Sequence, residues 1–364
     1  MLLLPGAFSP AGGLEMYDRL LIKSFCELTA EVDGRVEAIV LNDQENDVDH
    51  RYFNRSICRV KTMARSHSRF IAAALASVTR MQPALILMGH VNFGPLAFTL
   101  KFVAPRARIC FVTYGIDFWR RLSPLKRAAL RQADIIISIS NFTRREGAVV
   151  NGLRENKIEL LPCALDPFWE RENAPSRRQA ITNLPVILTV ARLAQSERYK
   201  GIDTVLTSLP AVRAAIPGVK YVIVGDGDDR LRMTELARSL GIADCVEFRG
   251  RVSSAELARA YDECSLFAMP SQKEGFGIVF LEAALFAKPS VAGNHGGSPE
   301  VVSPETGRLV QYGDVKALTD TLIDLLANPQ VTHGLGNAAR ERLARDFRYP
   351  RFAERVGELF GEKG

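Results

Sequence analysis

The stretch that decides the fold reads PSQKEGFGIVFLE and occupies residues 270–282. It follows a short apolar run, 266–269, that is typical of a buried strand, and it leads into an apolar helical pattern. Glu274 stands in the predicted loop, and Glu282 stands eight positions later in the predicted helix. The two glycines of the stretch let the backbone approach a ligand closely, and amides at a helix start favour a phosphate. We therefore predict a strand–loop–helix unit that binds an anion.

Short apolar runs alternate with amphipathic stretches along the whole chain. The predicted strands are 36–41, 84–88, 108–113, 135–138 and 158–161, and then 186–190, 221–224, 246–249, 266–269, 290–292 and 307–310. A polar, proline-containing stretch, 171–185, separates the two series. Because strand–helix alternation indicates parallel sheets with helices on both faces, we predict two Rossmann-like, doubly wound α/β domains, 1–170 and 171–348. The cleft between two such domains is the expected ligand site.

Two further segments bring candidate phosphate-binding groups to strand ends. Arg192 ends one predicted strand of the second series, and Lys200 directly precedes the next predicted helix. Both cations are expected at the carboxyl edge of the second sheet, where a guanidinium and an ammonium suit a diphosphate. In the first series, Gly12 and Gly13 end a glycine-rich loop before an amphipathic helix, which offers amides to an anion. Two surface charges and an ordinary tight turn are the alternative interpretations.

The charge is unevenly placed along the 364 residues, whose formal net charge is +6. Residues 51–131 hold 15 Lys and Arg against one acidic residue, whereas residues 1–50 hold three against ten. Such a basic segment attracts polyanions, namely anionic lipid headgroups, nucleic acid or phosphorylated substrates. A solvated basic face without a partner is the alternative. The 47% hydrophobic and 24% charged residues exclude intrinsic disorder for most of the chain.

Cysteine usage and hydropathy indicate the compartment. The six cysteines are scattered without a C-x-x-C pair, which argues against a zinc site or a redox pair. No apolar run approaches the roughly 18–20 residues that a spanning helix needs, and the start lacks a basic leader. We therefore expect a reducing compartment, the cytoplasm.

The stretch 270–282 resembles the signature of glycosyltransferase family four, whose members are retaining enzymes of the GT-B fold. The similarity extends to VIVGDG at 222–227, FRGRV at 248–252 with Glu256, Leu257 and Tyr261 behind it, GGSPEVV at 296–302, SIS at 138–140 and the segment 161–166. The resemblance implies that 1–170 is an acceptor domain and that 171–348 binds a nucleotide-sugar donor. It also implies that a last helix, 349–364, crosses back to the first domain.

The resemblance implies roles for the matched positions. Glu282 is expected to bind the ribose hydroxyls of the nucleotide. The implied catalytic residues are Glu274, at the donor sugar, and Arg192 and Lys200, which hold the diphosphate and stabilise it as the leaving group. Further donor contacts are implied for Gly12, Gly13, Arg251, Val252, Gly275, Phe276, Gly277, Ile278 and Val279. Because the two cations take the place of a metal, we expect no metal and no cofactor besides the nucleoside diphosphate sugar as co-substrate.

The chain departs from the family at one motif. Members often show H-G-x-[DE]-x-W, whereas residues 114–119 read YGIDFW, so that Tyr114 replaces the histidine. His90 follows another predicted strand that ends at the same cleft, where it could contact donor or acceptor or serve a structural role. We predict that His90, Tyr114 and Asp117 lie near the sugar or the acceptor.

Two basic clusters occupy the expected acceptor domain. The basic residues between Arg51 and Arg69 are spaced to share one helical or loop face, and a second cluster follows Trp119. Because many relatives act on lipid-linked sugars at the cytoplasmic membrane surface, we predict a peripheral protein whose basic patch binds anionic headgroups at the inner face of that membrane. The patch comprises Arg65, Arg69, Arg120, Arg121, Lys126 and Arg127, with apolar contact from Phe53, Phe70, Phe118 or Trp119.

These observations predict a retaining hexosyltransferase. It would move a hexose, with mannose preferred, from GDP-mannose or a UDP-hexose to a polysaccharide precursor or a lipid-linked saccharide. A GT-B nucleotide-sugar epimerase is the alternative enzyme. A non-enzymatic polyanion-binding protein is the alternative from another class, but it leaves the stretch 270–282 unexplained, so we expect no nucleic-acid partner.

Overall fold

The computed structural model describes residues 1–9, 12–32, 34–173 and 185–361. The chain divides into two compact units, the first formed by Met1–Asp166 with Tyr349–Gly364 and the second by Pro167–Arg348. The first unit thus ends four residues before the predicted boundary at residue 170. Residues 174–184 of the predicted linker lie outside the described residues.

The first unit is a parallel sheet between layers of helices. Among its described residues, the strands are β1 (Leu2–Leu4), β2 (Val36–Val40), β3 (Cys58–Thr62), β4 (Leu85–Met88), β5 (Arg108–Thr113), β6 (Ile135–Ser138) and β7 (Ile158–Leu160). The helices, numbered in chain order through the whole protein, are α1 (Gly13–Ala30), α2 (His67–Met81), α3 (Gly94–Val103), α4 (Pro124–Gln132), α5 (Asn141–Asn151) and, from the chain's end, α14 (Tyr349–Phe360). The strand order is β3-β2-β1-β4-β5-β6-β7, which reverses between β1 and β4.

The second unit repeats this plan. Its described strands are β8 (Val186–Val190), β9 (Lys220–Val224), β10 (Val246–Gly250), β11 (Leu266–Met269), β12 (Ser290–Gly293) and β13 (Gly307–Val310). Its described helices are α6 (Pro167–Asn173), α7 (Ile202–Ala215), α8 (Arg230–Ser239), α9 (Ser254–Glu263), α10 (Ile278–Leu285), α11 (Ser298–Val301), α12 (Val315–Ala327) and α13 (Pro329–Asp346). The strand order is β10-β9-β8-β11-β12-β13, which reverses between β8 and β11.

Most strands form where the sequence is mainly apolar. All described strand pairs are parallel, and central strands such as β6 and β11 are buried along their whole length. A parallel sheet that carries helices on both faces has no solvated side, so its strands are near-continuous runs of branched and aromatic residues. The prediction of two doubly wound, Rossmann-like α/β domains is confirmed.

Strand β3 was absent from the predicted strands, and its omission overturns one expectation. The basic residues between Arg51 and Arg69 do not share one face, because a short 3-10 turn, β3 and the start of α2 divide the segment. Within β3, Arg59 is exposed, whereas Lys61 forms an ion pair with the buried Glu37 of β2. The search for apolar runs in the sequence did not predict β3, because its polar residues find their partners only on neighbouring elements.

Candidate active site

The reversal point of the second sheet gathers the predicted catalytic residues. Ligands of open parallel sheets bind beyond the carboxyl ends of the strands at such a point. The loop after β8 carries Arg192 and Lys200, and the loop after β11 carries Glu274. These loops are in direct contact, since the Gln272 N–H donates to the Tyr199 carbonyl oxygen at 2.7 Å. The structure therefore brings the three side chains to one edge of one sheet.

Both cations converge on Glu197, a residue that the sequence analysis did not single out. Arg192 forms an ion pair with one carboxylate oxygen, and Lys200 Nζ lies 3.4 Å from the other. The Glu197 side chain is only 10% exposed, whereas that of Arg192 is 77% exposed. Glu197 therefore anchors two positive charges close together. An acidic residue between two candidate phosphate-binding cations was the available sequence signal.

Glu274 is fixed by a close backbone contact. The Gly297 N–H donates to the Glu274 carbonyl oxygen at 2.7 Å. A Cβ at Gly296 would come within 2.3 Å of that oxygen, so the close approach requires glycine there. Burial raises the pKa of the Glu274 carboxyl, while the Lys200 charge and the amides of Phe276 and Gly275 act in the opposite direction. Lys200 and Glu274 therefore interact electrostatically in one partly desolvated environment.

Helix α10 begins immediately after this loop. Gly277 caps it with a φ of 96°, a left-handed conformation that favours glycine. Ile278 and Val279 form its first turn, and the side chain of Phe276 is buried with its ring 5.6 Å from that of Phe347. The first-turn amides of a helix lack partners within the helix itself. The start of α10 therefore offers donors beside Glu274.

Glu282 lies one turn further along α10 and is half-buried. Tyr261 of α9 donates its hydroxyl proton to Glu282 Oε2 at 2.7 Å. Arg251 and Val252 follow the carboxyl end of β10, where Arg251 is exposed. Val252 lines a groove with side chains of β10 and α9. The second sheet thus carries every predicted donor residue of its unit at or near its carboxyl edge.

A buried ion-pair network ties the loop of the two cations to its neighbour. Asp229, which is fully buried, accepts hydrogen bonds from Arg198 Nη2 and from Arg232 Nε, each at 2.8 Å. The Asp229 N–H also donates to the Leu193 carbonyl oxygen at 2.8 Å. The Arg232 guanidinium is the largest cause that lowers the pKa of Asp229 to about 2. This network joins the loops after β8 and β9 and so supports the segment that holds the cations.

The glycine-rich loop of the first unit is surrounded by carboxylates. Gly12 caps α1 and Gly13 begins it, and a Cβ at Gly12 would come within 2.5 Å of Glu15 Oε2. Two amides of the loop after β1 donate to Asp43 Oδ2 at 3.0 and 2.7 Å. The phosphate-binding role of Gly12 and Gly13 stays a prediction, and these negative charges oppose it.

Tyr114 is engaged inside the first unit. Its hydroxyl donates to Oδ1 of Asp18, a fully buried residue of α1, and its ring meets the edge of Tyr17 at 5.6 Å. Burial raises the pKa of both Tyr114 and Asp18. The residue that replaces the family histidine therefore has a hydrogen-bond partner of its own.

His90 and Asp117 follow the adjacent strands β4 and β5 and face each other, with His90 Nε2 3.7 Å from Asp117 Oδ2. The Asn92 N–H donates to His90 Nδ1 at 3.0 Å, so the neutral ring carries its proton on Nε2. Burial is the main reason that the pKa of His90 is lowered to about 4 and that of Asp117 raised to about 6. Asp117 Oδ2 has no hydrogen-bond partner in the part of the chain that the structure describes.

The basic patch lies on the first unit, and most of it is open to solvent. Arg65, Arg69, Arg120 and Arg121 are exposed. Lys126 is half-buried and donates to the side chain of Asn92 at 2.7 Å, and Arg127 is also half-buried. The patch therefore has four exposed cations.

For two of the four aromatic residues expected beside the patch, the prediction of surface contact was wrong. Phe70 and Phe118 are buried in the core of the first unit, at 2% and 0% exposure, because helix and loop packing turns them inward. Phe53 and Trp119 are half-buried. Exposed apolar side chains near the second cluster are instead Ile116 and Leu125.

Neither a membrane-spanning helix nor a metal-binding cluster occurs among the described residues. No described helix is both long and apolar enough to span a membrane. No group of three or more His, Cys, Asp or Glu side chains among the residues described is arranged to hold a metal ion.

Comparisons with solved structures establish the architecture. Anabaena Alr3699/HepE, solved in complex with UDP, superposes with a TM-score of 0.79 at 19% identity over 98% of each chain. Sucrose-phosphate synthase of Thermosynechococcus elongatus superposes with a TM-score of 0.76 at 22% identity over 99% of this chain and 97% of that one. The two parallel-sheet domains therefore have the GT-B fold.

Sequence comparisons identify the family. The family model described as Glycosyl transferases group 1 matches residues 170–342. A GDP-mannose-dependent alpha-(1-6)-phosphatidylinositol monomannoside mannosyltransferase of Mycobacterium tuberculosis is 32% identical over 292 residues, which are 74% of each chain. The N-acetyl-alpha-D-glucosaminyl L-malate synthase of Bacillus anthracis is 25% identical over 304 residues, 80% of this chain and 78% of the other. The chain belongs to the group 1 glycosyl transferases, and it is a glycosyltransferase.

Proposed function

We propose that the protein is a retaining mannosyltransferase that uses GDP-mannose and acts on a lipid-linked saccharide. The single observation that carries the site assignment is the convergence of Arg192 and Lys200 on Glu197, beside Glu274, at the reversal point of the second sheet. The mannose preference is supported by the 32% identical relative that is named for GDP-mannose.

The charges suit the chemistry of glycosyl transfer from a nucleoside diphosphate. Breaking the bond between sugar and diphosphate leaves positive charge on the sugar and negative charge on the leaving group. Arg192 and Lys200 bind and stabilise the diphosphate, and the amides at the start of α10 meet the same phosphates. Glu274 accepts hydrogen bonds from the hydroxyls of the donor sugar, and Glu282 accepts those of the ribose. This assignment needs no cofactor besides the sugar nucleotide.

The remaining proposed donor contacts are made by two residues after β10 and by the main chain around the glycines. Arg251 and Val252 follow β10, two strands away from β8, and they border the nucleobase in this proposal. Gly275, Gly277 and their neighbours let the main chain approach the sugar and phosphates. For Gly12 and Gly13 of the first unit, a contact with the donor stays a prediction, which the carboxylates around them disfavour.

His90 and Asp117 form the proposed contact for an acceptor hydroxyl. A hydroxyl group accepts one hydrogen bond and donates another, so it matches a ring N–H that faces a carboxylate oxygen. At 3.7 Å the two atoms are too far apart for a direct hydrogen bond, yet both lie within bonding range of one oxygen placed beside them. Tyr114 precedes Asp117 by three residues, and its hydrogen bond to Asp18 supports the segment that carries Asp117.

The basic patch is the proposed membrane contact. Arg65, Arg69, Arg120 and Arg121 place positive charge at the surface of the first unit, where anionic headgroups are attracted at about 1 kcal/mol per cation. Ile116 and Leu125 add exposed apolar surface nearby. We propose a cytoplasmic enzyme bound peripherally to the inner face of the cytoplasmic membrane.

A donor-binding screen tests the proposal. Calorimetric titrations with GDP-mannose, UDP-glucose, UDP-galactose and UDP-GlcNAc should show the tightest binding for GDP-mannose. The Glu282→Ala variant should not bind GDP-mannose. Glu235→Ala, on the exposed face of α8, is the matched control and should bind as the unaltered protein does. NMR of the glycoside formed should show the anomeric configuration of the donor. Binding by Glu282→Ala at the original affinity would exclude the ribose assignment.

A further inference from the structure

We propose that Tyr261 is a positioning residue that holds Glu282 in the orientation needed for the ribose hydroxyls. Tyr261 lies on α9 and Glu282 on α10, so neither helix alone sets their geometry. The inference rests on the proposed role of Glu282 in binding the nucleotide. Tyr261 belongs to the segment 248–261 that resembles the family, but that resemblance assigned it no role.

The contact is a hydrogen bond to a flexible carboxylate. Tyr261 Oη donates to Glu282 Oε2 at 2.7 Å, the length of a charge-assisted bond. A glutamate side chain has three rotatable bonds, and a solvent-facing one loses conformational freedom when it binds a ligand. A carboxylate offers about four acceptor positions, and the Tyr261 hydroxyl occupies one of them.

The tyrosine ring is itself immobilised, so the hydroxyl has a fixed position. Tyr261 is fully buried. Its ring is stacked on Phe286 with centroids 5.9 Å apart and planes 10° from parallel. Trp169 of α6 meets the same ring edge-on at 6.4 Å, and Phe267 of β11 lies 5.9 Å away. An aromatic ring held on three sides cannot follow the carboxylate, and so the carboxylate takes the orientation that the ring imposes.

The anchoring helix is also well fixed. Ser253 and Glu256 form a reciprocal capping box at the start of α9, which satisfies amides that the helix leaves open. Burial and the nearby Glu282 carboxylate raise the pKa of Tyr261, so its hydroxyl stays protonated and remains a donor at all physiological pH values.

The test is ribose discrimination in Tyr261→Phe. Titrations use GDP and UDP, each beside its 2′-deoxy and 3′-deoxy analogue. For the nucleotide that the protein binds, we expect Tyr261→Phe to weaken the ribonucleotide about tenfold and the deoxy analogues less than twofold, because only the ribose hydroxyls use Glu282. In turnover assays the KM for the sugar nucleotide should rise about tenfold while kcat changes less than twofold. Tyr221→Phe is the matched control, because Tyr221 is equally buried in the same unit and contacts Thr189 instead.

The outcomes separate the inference from the function beneath it. Equal affinity of the unaltered protein for ribo- and deoxynucleotides would overturn the ribose role of Glu282. Discrimination that persists unchanged in Tyr261→Phe would overturn the inference and leave that role intact. Trp169→Ala keeps the hydroxyl but loosens the ring, and we expect two- to threefold weaker discrimination. Full discrimination in this variant would overturn the claim that ring packing orients the carboxylate.

Discussion

The reversal points of the two sheets have the same topology but carry different charged side chains. At the second sheet, Arg192 and Lys200 meet around one partly buried carboxylate, and the start of a helix lies beside them. At the first sheet, Glu15, Asp18 and Asp43 surround the loop after β1, and Asp43 already accepts two of its amides. Although one fold supplies both edges, the second suits an anionic ligand and the first suits hydroxyl groups.

The difference shows that a parallel-sheet edge does not by itself decide its ligand. Both edges place loops and helix starts beyond the carboxyl ends of strands, which favours anions in general. Side chains then reinforce or cancel that preference. In the first unit Asp43 accepts two amides of the loop after β1, and Arg19 donates to the Ala7 carbonyl oxygen of the same loop.

The largest expected effect comes from removing a cation at the second edge. Lys200→Ala should lower kcat/KM for the donor about a thousandfold, about 4 kcal/mol, because the leaving diphosphate loses a charge that it needs most in the transition state. Steady-state kinetics with radiolabelled donor measure it. Lys220→Ala, at the exposed amino end of β9, is the control and should change little. If Lys200→Ala and Lys220→Ala have the same kcat/KM, the cation pair does not stabilise the leaving diphosphate.

The next largest effect is expected in the buried ion-pair network of Asp229, which supports the loop that carries those cations. Asp229→Asn should cost about 3 kcal/mol in the free energy of unfolding, because two arginines lose a buried partner. Since the folded pKa is lowered to about 2, the carboxylate's contribution is present above about pH 4 and is lost as the pH falls toward 2. Urea denaturation at several pH values measures both.

The control for this change is Asp244→Asn, which breaks an exposed pair with Arg213. Its denaturation midpoint should stay near that of the unaltered protein, since exposed pairs contribute little. If Asp229→Asn behaves in the same way, the network does not stabilise the second edge.

A smaller effect is expected at the proposed acceptor contact of His90 and Asp117. Asp117→Asn should lower kcat/KM for the acceptor about tenfold, because the amide is a weaker acceptor than the carboxylate. His90, Arg120 and Lys126 are the charged or titratable groups nearby. Burial raises the pKa of Asp117 to about 6, so kcat/KM should fall as the pH drops through about 6.

Asp117→Asn should not show this fall in kcat/KM at low pH. A pH series of initial rates with saturating donor measures it, and Glu146→Gln on the exposed side of α5 serves as the control. An unchanged fall in Asp117→Asn would assign the titration to another group.

The smallest effect concerns the basic patch. Arg121→Gln should weaken partition onto phosphatidylserine-containing vesicles about fivefold, about 1 kcal/mol, and high salt should remove the difference. Arg106→Gln removes an equally exposed arginine near the opposite, amino end of β5 and should have less effect. Equal losses in the two variants would indicate attraction by net charge rather than by a defined patch.

Much of the fold and of the donor site could be predicted from local sequence. Continuous apolar runs predicted the central strands, since buried parallel strands have no polar face. The positions of Arg192, Lys200 and Glu274 after strand ends predicted that they share an edge. The edge strand β3 could not be predicted in this way, because Lys61 is accommodated by Glu37 of another strand. Phe70 and Phe118 were misplaced because basic neighbours in sequence do not determine which way a ring packs.

The sequence by itself determined the two parallel-sheet units and the residues that follow their strands, because backbone periodicity and turn chemistry act over short distances. Only the tertiary structure decided which side chains pair. It placed Glu197 between two cations, joined Tyr261 to Glu282 across two helices, and surrounded the first glycine-rich loop with carboxylates. Tyr261 and Glu282 lie on separate helices, whereas Glu197 and its two cations share one loop; in both cases the strength of the contact depends on packing, which removes water and fixes the distances between the groups.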